Sequence, residues 1–177
     1  MNKLTGLLLI LLIIAACSPD EKNASKDETP GKNAAALNDT TPKVTGIGGI
    51  FFRSKDPSRV KEWYGKNLGL AIDLYGSVFE FRNANDPGEV NYLRWAPFEE
   101  KTDYFDPSKK DFMINYRVRN LKGLIANLKA AGVTVLGEIQ DYEYGSFAYI
   151  LDPEGNKIEL WEPVDSVLTK MGGVTTK

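Results

Sequence analysis

Asp152-Pro153-Glu154-Gly155-Asn156-Lys157-Ile158-Glu159-Leu160 is the stretch that decides the fold of this chain. Its first five residues are typical of a tight turn, because proline fixes φ and glycine or asparagine accepts positive φ. The residues from Lys157 to Trp161 then read as a β-strand whose successive side chains point to opposite faces of a sheet. We therefore predict that a hairpin turn leads into the last strand of a folded domain.

Upstream of this strand the chain carries two similar halves. Three pairs of landmarks recur in the same order, and they end a strand, a helix and a strand in each half. They are Phe52-Arg53 with Tyr116-Arg117 at an offset of 64 residues, Leu68-Gly69-Leu70 with Ala131-Gly132-Val133 at 63, and Trp95-Ala96-Pro97 with Trp161-Glu162-Pro163 at 66. A nearly constant offset indicates a duplicated unit.

Each unit is predicted to run as strand, helix and three strands. Asp56-Pro57 opens the first helix, since proline is accepted at a first helical position, and Gly69 closes it. The second helix spans Leu121 to Ala131 and presents an apolar stripe at helical spacing. The predicted strands are 50–53, 71–74, 78–82, 91–96, 112–118, 133–139, 147–151 and 157–161.

This organisation resembles the vicinal oxygen chelate superfamily, which includes glyoxalase I, bleomycin-resistance proteins, fosfomycin-resistance enzymes and extradiol dioxygenases. The pieces Trp63-Tyr64, Leu68-Gly69 and the stretch 152–160 carry the resemblance, which covers Val44 to Pro163. It implies an α+β fold in which two βαβββ units in tandem curl into one partly open barrel-like sheet with helices outside. A fold of this kind does not by itself supply a reaction.

The resemblance also implies where metal ligands would stand in this chain. Carried over by the repeat offsets, these positions are Gly49, Leu93, Met113 and Glu159. Of the four, Glu159 alone offers an oxygen to a hard cation, and the chain has no histidine, the commonest imidazole ligand. We therefore expect no catalytic divalent metal and no other cofactor.

Strand alternation predicts which side chains share the cleft with Glu159, if Glu159 points inward as the resemblance implies. The inward set contains Phe51, Arg53, Leu93, Trp95, Met113, Asn115, Arg117 and Trp161. A few polar groups on an apolar wall are typical of a small-molecule site, so we interpret this set as ligand-binding and Glu159 as a candidate catalytic base. In the alternative, Arg53 or Arg117 pairs with Glu159, and the tryptophans fill the ends of the sheet.

The first residues are typical of an export signal: Lys3, an apolar run from Leu7 to Ala16, then Cys17. The run from Leu4 reaches only about 20 Å, too short for a bilayer core of about 30 Å. Residues 14–17 resemble the lipobox of bacterial lipoproteins, which implies a lipid on Cys17. The predicted segments are a signal peptide 1–16, a lipidated cysteine and disordered tether 17–43, a domain 44–164 and a flexible tail 165–177.

The composition limits the kinds of molecule that this chain is expected to bind. A net charge of −2 without a basic cluster argues against nucleic acid. We expect a small-molecule ligand, a membrane reached through Cys17 and a possible homodimer, with Ser18 favouring the outer membrane of a bacterial cell envelope.

Four functions stay open at this point: a metal-free binding module, a metal-independent enzyme that uses Glu159 as a base, a metal-dependent glyoxalase or dioxygenase, and a protein-interaction module. The interaction module would dock its partner on an aromatic rim. That rim is formed by Tyr142, Tyr144, Phe147 and Tyr149.

Overall fold

The computed structural model describes residues 39–84 and 86–177. The predictions of a signal peptide, a lipid on Cys17 and most of a tether lie outside the described residues. Gly31–Lys177 forms a compact unit by itself. Within the described ranges, no helix combines the length and the apolar character needed to cross a membrane.

Strands and helices follow the predicted order, except that one predicted strand of the first unit does not form. The first unit consists of β1 (Lys43–Ser54), α1 (Pro57–Leu68), β2 (Ser77–Arg82) and β3 (Val90–Glu99). The second consists of β4 (Phe112–Arg119), α2 (Leu121–Ala130), β5 (Val135–Tyr142), β6 (Gly145–Leu151) and β7 (Lys157–Pro163), and α3 (Asp165–Met171) follows it.

The strands of the described residues form one seven-stranded mixed sheet in the order β2-β3-β1-β4-β7-β6-β5. β1 and β4, the opening strands of the two units, pair antiparallel at its centre, and each runs parallel to the closing strand of its own unit. Because β2 and β5 lie at opposite ends of the order, the curled sheet is not closed. The predicted α+β architecture is confirmed.

Local sequence explains where the helices begin and end. The Asp56 side chain accepts a hydrogen bond of 2.9 Å from the Arg59 amide, and Pro57 occupies the first turn of α1. Gly69 ends this helix with φ of 72°, a conformation that costs glycine little. The Asn120 side chain caps α2 in the same way through the Gly123 amide at 3.0 Å.

Two apolar clusters lie on opposite faces of the sheet. On the outer face, Leu121 and Ile125 of α2 pack against Val118, Ile150 and Leu160. On the inner face, inside the curl, a second cluster joins Phe51, Ala96, Phe105 and Met113. The inner face is therefore partly a core in its own right.

The predicted strand 71–74 is wrong, since only an isolated bridge between Ile72 and Ser77 forms there. The physical reason is a turn: the Asp73 side chain accepts hydrogen bonds of 2.8 Å from the amides of Tyr75 and Gly76. An aspartate that bonds the backbone just after it favours a turn over an extended strand.

The C-terminal residues also differ from the expected flexible tail. Residues 165–171 form α3, and Thr176 exchanges backbone hydrogen bonds with Val78 and Glu80 of β2 at 2.7 and 3.2 Å. In contrast to α1 and α2, α3 contacts the inner face: Tyr92 of β3 and Thr169 share a hydroxyl hydrogen bond of 2.9 Å. Residues 165–177, here named the C-terminal strap, thus cover part of the cleft.

Candidate functional site

Most of the side chains predicted to face the cleft do so. The register pairs Asn115 with Glu159 and Arg117 with Trp161, which places these side chains in adjacent rows of the inner face. The members of the predicted set that are buried on this inner face are Phe51, Met113, Asn115, Arg117, Glu159 and Trp161. Arg53 shares this face, half-buried, with its guanidinium 5.2 Å from the centre of the Phe105 ring.

The inward placement of Leu93 and Trp95 is wrong. In the parallel register of β1 and β3, Phe51 lies opposite Ala96, so Ala96 faces inward and Trp95 faces outward. Trp95 packs against Tyr64 of α1, with ring centres 4.6 Å apart. The error arose because Trp95-Ala96-Pro97 was aligned with Trp161-Glu162-Pro163, which places equivalent residues of the two units 66 positions apart. The strand pairings instead make Ala96 the equivalent of Glu159, 63 positions apart.

Glu159 lies at the bottom of the cleft and is 2 % exposed. Its carboxylate accepts a hydrogen bond of 2.5 Å from Asn115 Nδ2 and another from the Tyr104 hydroxyl. The Tyr104 hydroxyl also lies 3.2 Å from that of Tyr149 on β6. Among the described residues, neither Arg53 nor Arg117 pairs with Glu159, so the buried carboxylate is satisfied by neutral donors.

Tyr104 and Phe105 come from the segment between β3 and β4 and fill the cleft above Glu159. Phe105 is fully buried, and the Tyr104 ring stacks on Phe98 with centres 5.0 Å apart. Burial and the neighbouring Glu159 raise the pKa of Tyr104 far above its ordinary value. Burial, with a further contribution from Glu159, does the same to Tyr149. Both phenols therefore stay protonated and remain hydrogen-bond donors near neutral pH.

The four positions that correspond to family metal ligands do not fit a metal. After the register correction they are Gly49, Ala96, Met113 and Glu159, and three of these side chains supply no oxygen or nitrogen. A Cβ added at Gly49 would lie 2.6 Å from Phe51 Cζ, so a ligating side chain has no room there. In the described ranges, no group of three or more Asp, Glu, His or Cys residues is arranged to hold an ion.

Arg117 instead binds the C-terminal strap. Its guanidinium forms a buried ion pair with Asp165, donates to the Tyr92 carbonyl at 3.2 Å and lies over the Trp161 ring at 5.2 Å. Burial raises the pKa of Asp165, and the Arg117 guanidinium offsets this only in part. The ion pair fixes the start of α3 against the inner face, so Arg117 holds the strap in place.

A pocket of about 250 Å³ opens between the strap and the inner face of the sheet. Its lining is mainly apolar, with Asp73 and Arg94 as the charged members. The lining residues are Asp73, Val78, Tyr92, Arg94, Trp161, Leu168, Met171, Gly172, Gly173, Val174 and Thr175. We call this space the strap pocket. Of the residues predicted from the sequence to bind a ligand, Trp161 alone lines it.

The sequence reasoning missed Tyr104, Asp73, Arg94 and the strap. A usable signal existed for Tyr104, because two adjacent aromatic residues in the connection between the units are unusual for a solvated loop. Arg94 was missed by the same one-residue error that turned Trp95 inward. The strap carried the weak apolar pattern Val167, Leu168 and Met171, which marks a short amphipathic helix.

Residues 46–160 match the family described as the Glyoxalase/Bleomycin resistance protein/Dioxygenase superfamily. Because the match spans more than half of the chain, the chain belongs to this superfamily, as the sequence resemblance predicted. No curated protein matches the sequence of the chain.

Several solved structures are similar to this chain. A variant of Streptomyces coelicolor methylmalonyl-CoA epimerase in complex with 2-nitronate-propionyl-CoA is 14% identical, with a TM-score of 0.52 over 69% of this chain and 99% of that one. Methylmalonyl-CoA epimerase from Mycobacterium tuberculosis is 21% identical, with a TM-score of 0.48 over 71% and 93%. The Mn(II)-bound glyoxalase from Novosphingobium aromaticivorans is 19% identical, with a TM-score of 0.46 over 77% and 42%. The likeness to the Streptomyces enzyme shows a shared fold and leaves the activity open.

Proposed function

We propose that this chain is a lipid-anchored cell-envelope domain that binds a small, partly apolar molecule without a resident metal. The strap pocket carries the proposal: it is a concave, mainly apolar space that holds an arginine and an aspartate. Pockets that combine an apolar wall with a few polar groups are typical of small-molecule sites.

The position of the strap pocket supports this assignment over a site at Glu159. Tyr104 and Phe105 already occupy the space above Glu159, whereas the strap leaves open space over Val78 and Trp161. An added molecule fits the strap pocket without displacing a buried side chain. Binding there would cover apolar surface of the partly buried Leu168 and of the exposed Val174.

Native mass spectrometry tests the ligand-binding proposal on the full chain extracted from membranes. We expect a bound small molecule that is released on unfolding, and its loss from the Leu168→Trp variant, in which the indole fills the strap pocket. The control variant Tyr104→Phe alters the Glu159 cleft instead and should keep the molecule. If Leu168→Trp retains the bound molecule and Tyr104→Phe loses it, the ligand binds at Glu159 and not in the strap pocket.

Metal independence is supported by Gly49, Ala96 and Met113 at the expected ligand positions. Elemental analysis of the fragment Gly31–Lys177, purified without chelator or affinity tag, should find transition metal well below one equivalent. A full equivalent that disappears in Glu159→Ala would restore a metalloenzyme, because Glu159 is the oxygen donor of that set.

Lipid anchoring rests on Cys17, which is the one cysteine in the sequence and ends a lipobox-like string. Metabolic labelling with a palmitate analogue should mark the wild-type chain, and Cys17→Ser should abolish the label and release the protein from the membrane. The matched variant Ser18→Ala should keep both. A labelled Cys17→Ser chain would refute the anchor. Fractionation of the labelled chain tests the proposed outer-membrane location.

An enzyme that uses Glu159 is the second candidate, and the hydrogen bonds from Tyr104 and Asn115 to its carboxylate favour it. Asn115 would still hold the carboxylate in place as a base if the segment carrying Tyr104 left the cleft to admit a substrate. The interaction module has its own support, since Tyr142 is half exposed and stacks on Tyr144 with ring centres 5.5 Å apart. Tyr149 does not belong to that rim, because it lies beside Tyr104 in the cleft.

A further inference from the structure

Within the described part of the chain, Asp73 is the one hydrogen-bond partner of the Arg94 guanidinium, which leaves donors available at the strap pocket. The Arg94 side chain lies on the inner face of β3, in the row opposite Gly49 of β1. A third of the side chain is exposed, and one of its nitrogens, Nη1, lies 2.5 Å from Asp73 Oδ2. A guanidinium has five N–H donors, so most of those on Arg94 remain available to a ligand.

Asp73 has little acceptor capacity left for a ligand. Its Oδ1 accepts from the amides of Tyr75 and Gly76, both at 2.8 Å, and its Oδ2 accepts from Arg94. The turn that follows Ile72 thus fixes the carboxylate, and the carboxylate holds the guanidinium at the pocket wall. Asp73 acts as a positioning residue for Arg94.

The other walls of the strap pocket are apolar and favour a ligand with a large apolar part. Val78 and Trp161 lie beneath the pocket, and Leu168, Met171 and Val174 of the strap lie above it. Tyr92 also contributes ring surface, since its hydroxyl is engaged by Thr169. A ligand that fills this volume gains from burying apolar surface, while its polar end meets Arg94.

We propose that the strap pocket takes a small apolar carboxylate, whose two oxygens bind the free N–H groups of Arg94 while its hydrocarbon or aromatic part packs on Trp161. This inference rests on the proposed ligand-binding function and adds the chemical class. A planar guanidinium matches a carboxylate in two parallel hydrogen bonds, which a lysine or a neutral donor does not reproduce.

The test uses pairs of probes that differ only at the acidic group. Naphthalene-2-carboxylate and naphthalene-2-carboxamide form one pair, and smaller aromatic and branched aliphatic acids with their amides form the others. Binding to the fragment Gly31–Lys177 is followed by the indole N–H resonance of Trp161, assigned with Trp161→Phe. We expect acids to bind at least about 10-fold more tightly than their amides, as hydrogen bonds to a charged group imply.

Two variants separate charge recognition from loss of structure. Arg94→Gln should erase the preference for the acid, whereas Arg82→Gln, an exposed arginine at the end of β2, should keep it. Asp73→Asn keeps an oxygen for the turn amides but removes the charge that holds the Arg94 guanidinium, so it should weaken the binding of acids and leave the binding of amides unchanged. A merely structural role for Asp73 would weaken acids and amides alike.

The outcomes distinguish the two proposals. If acids and amides bind equally well and Arg94→Gln changes neither, the pocket binds ligands but the carboxylate inference is wrong. If no member of any pair shifts the Trp161 resonance, the strap pocket is not a ligand site and the proposed function fails with it.

Discussion

The two ends of the cleft are covered in opposite ways, although the two units that form it share one plan. At one end, Tyr104 and Phe105 fill the cleft, and the Tyr104 hydroxyl bonds the buried Glu159. At the other end, the C-terminal strap crosses the cleft and leaves a pocket of about 250 Å³. Trp161 lines this pocket and stacks on Phe147, with ring centres 5.8 Å apart.

The difference comes from the segments that the duplicated units do not share. The connection between β3 and β4 brings two large rings with apolar bodies, which pack as core. The segment after β7 brings a short helix and two glycines, which cover the sheet without filling it. Similar strands can therefore enclose a solid core or a binding pocket, depending on which additional segment lies over them.

The largest expected effect tests the filled half. Phe105→Ala should lower the free energy of unfolding by about 3–5 kcal/mol, because it empties a fully buried ring site. Leu168→Ala, at the wall of the open half, should cost less than about 1.5 kcal/mol, since this side chain is only partly buried. Urea denaturation of the fragment Gly31–Lys177 measures both, with the exposed Phe112→Ala as control. Equal losses would show that the halves are packed alike.

Crowding beside Asn115 is the next largest effect. A Cβ at Gly48 would lie 2.2 Å from Asn115 Oδ1 and 2.8 Å from Trp161 Cε3, so Gly48→Ala should destabilise by about 1–3 kcal/mol. Gly46→Ala is the matched control on the same strand, because its nearest neighbour is 3.9 Å away. Thermal unfolding of the two variants gives the comparison. Identical melting temperatures would mean that the side chains around Gly48 move aside at little cost in free energy.

Much of the fold could be predicted from the sequence because its signals are local and repeated. The cap at Asp56, the glycine after Leu68 and the turn at 152–156 each act through nearby backbone, and the duplication doubles every such signal. The strand at 71–74 failed for a local reason as well. The side chain of Asp73 bonds the next amides, and that competition was not weighed against its apolar neighbours.

The site was less predictable because it depends on register and on distant segments. Strand alternation gave the correct face for Met113, Asn115, Arg117 and Glu159, but one wrong offset reversed Leu93 and Trp95. The partner of Glu159 comes from Tyr104, 55 residues away, and the partner of Arg117 comes from Asp165, 48 residues away. Pairings over such distances follow from the folded sheet and leave no periodic pattern in the sequence.

A smaller effect concerns the hydrogen bonds of Glu159. Tyr104→Phe keeps the ring that fills the cleft but removes the hydroxyl donor, which should cost about 1–2 kcal/mol of unfolding free energy. Tyr75→Phe, at a tyrosine that is 69% exposed, should change stability little. Guanidinium denaturation measures both variants. A neutral Tyr104→Phe would show that Asn115 alone satisfies the carboxylate.

The smallest effect compares the two arginine–aspartate pairs through pH. Burial raises the pKa of Asp165, so its contribution to stability is complete below the unfolded-state pKa and is lost as pH rises through the folded value. Burial alone would also raise the pKa of Asp73, but Arg94 and the amide hydrogen bonds from Tyr75 and Gly76 together lower that pKa, so this contribution is lost as pH falls through the folded value. Free energies of unfolding measured from about pH 3 to 6, around the ordinary pKa of an aspartate, should therefore show opposite trends. The wild type should lose stability relative to Asp165→Asn as pH rises. Relative to Asp73→Asn, it should gain stability over the same range. Slopes of the same sign would mean that the buried pair at the strap and the open pair at the pocket share one electrostatic environment.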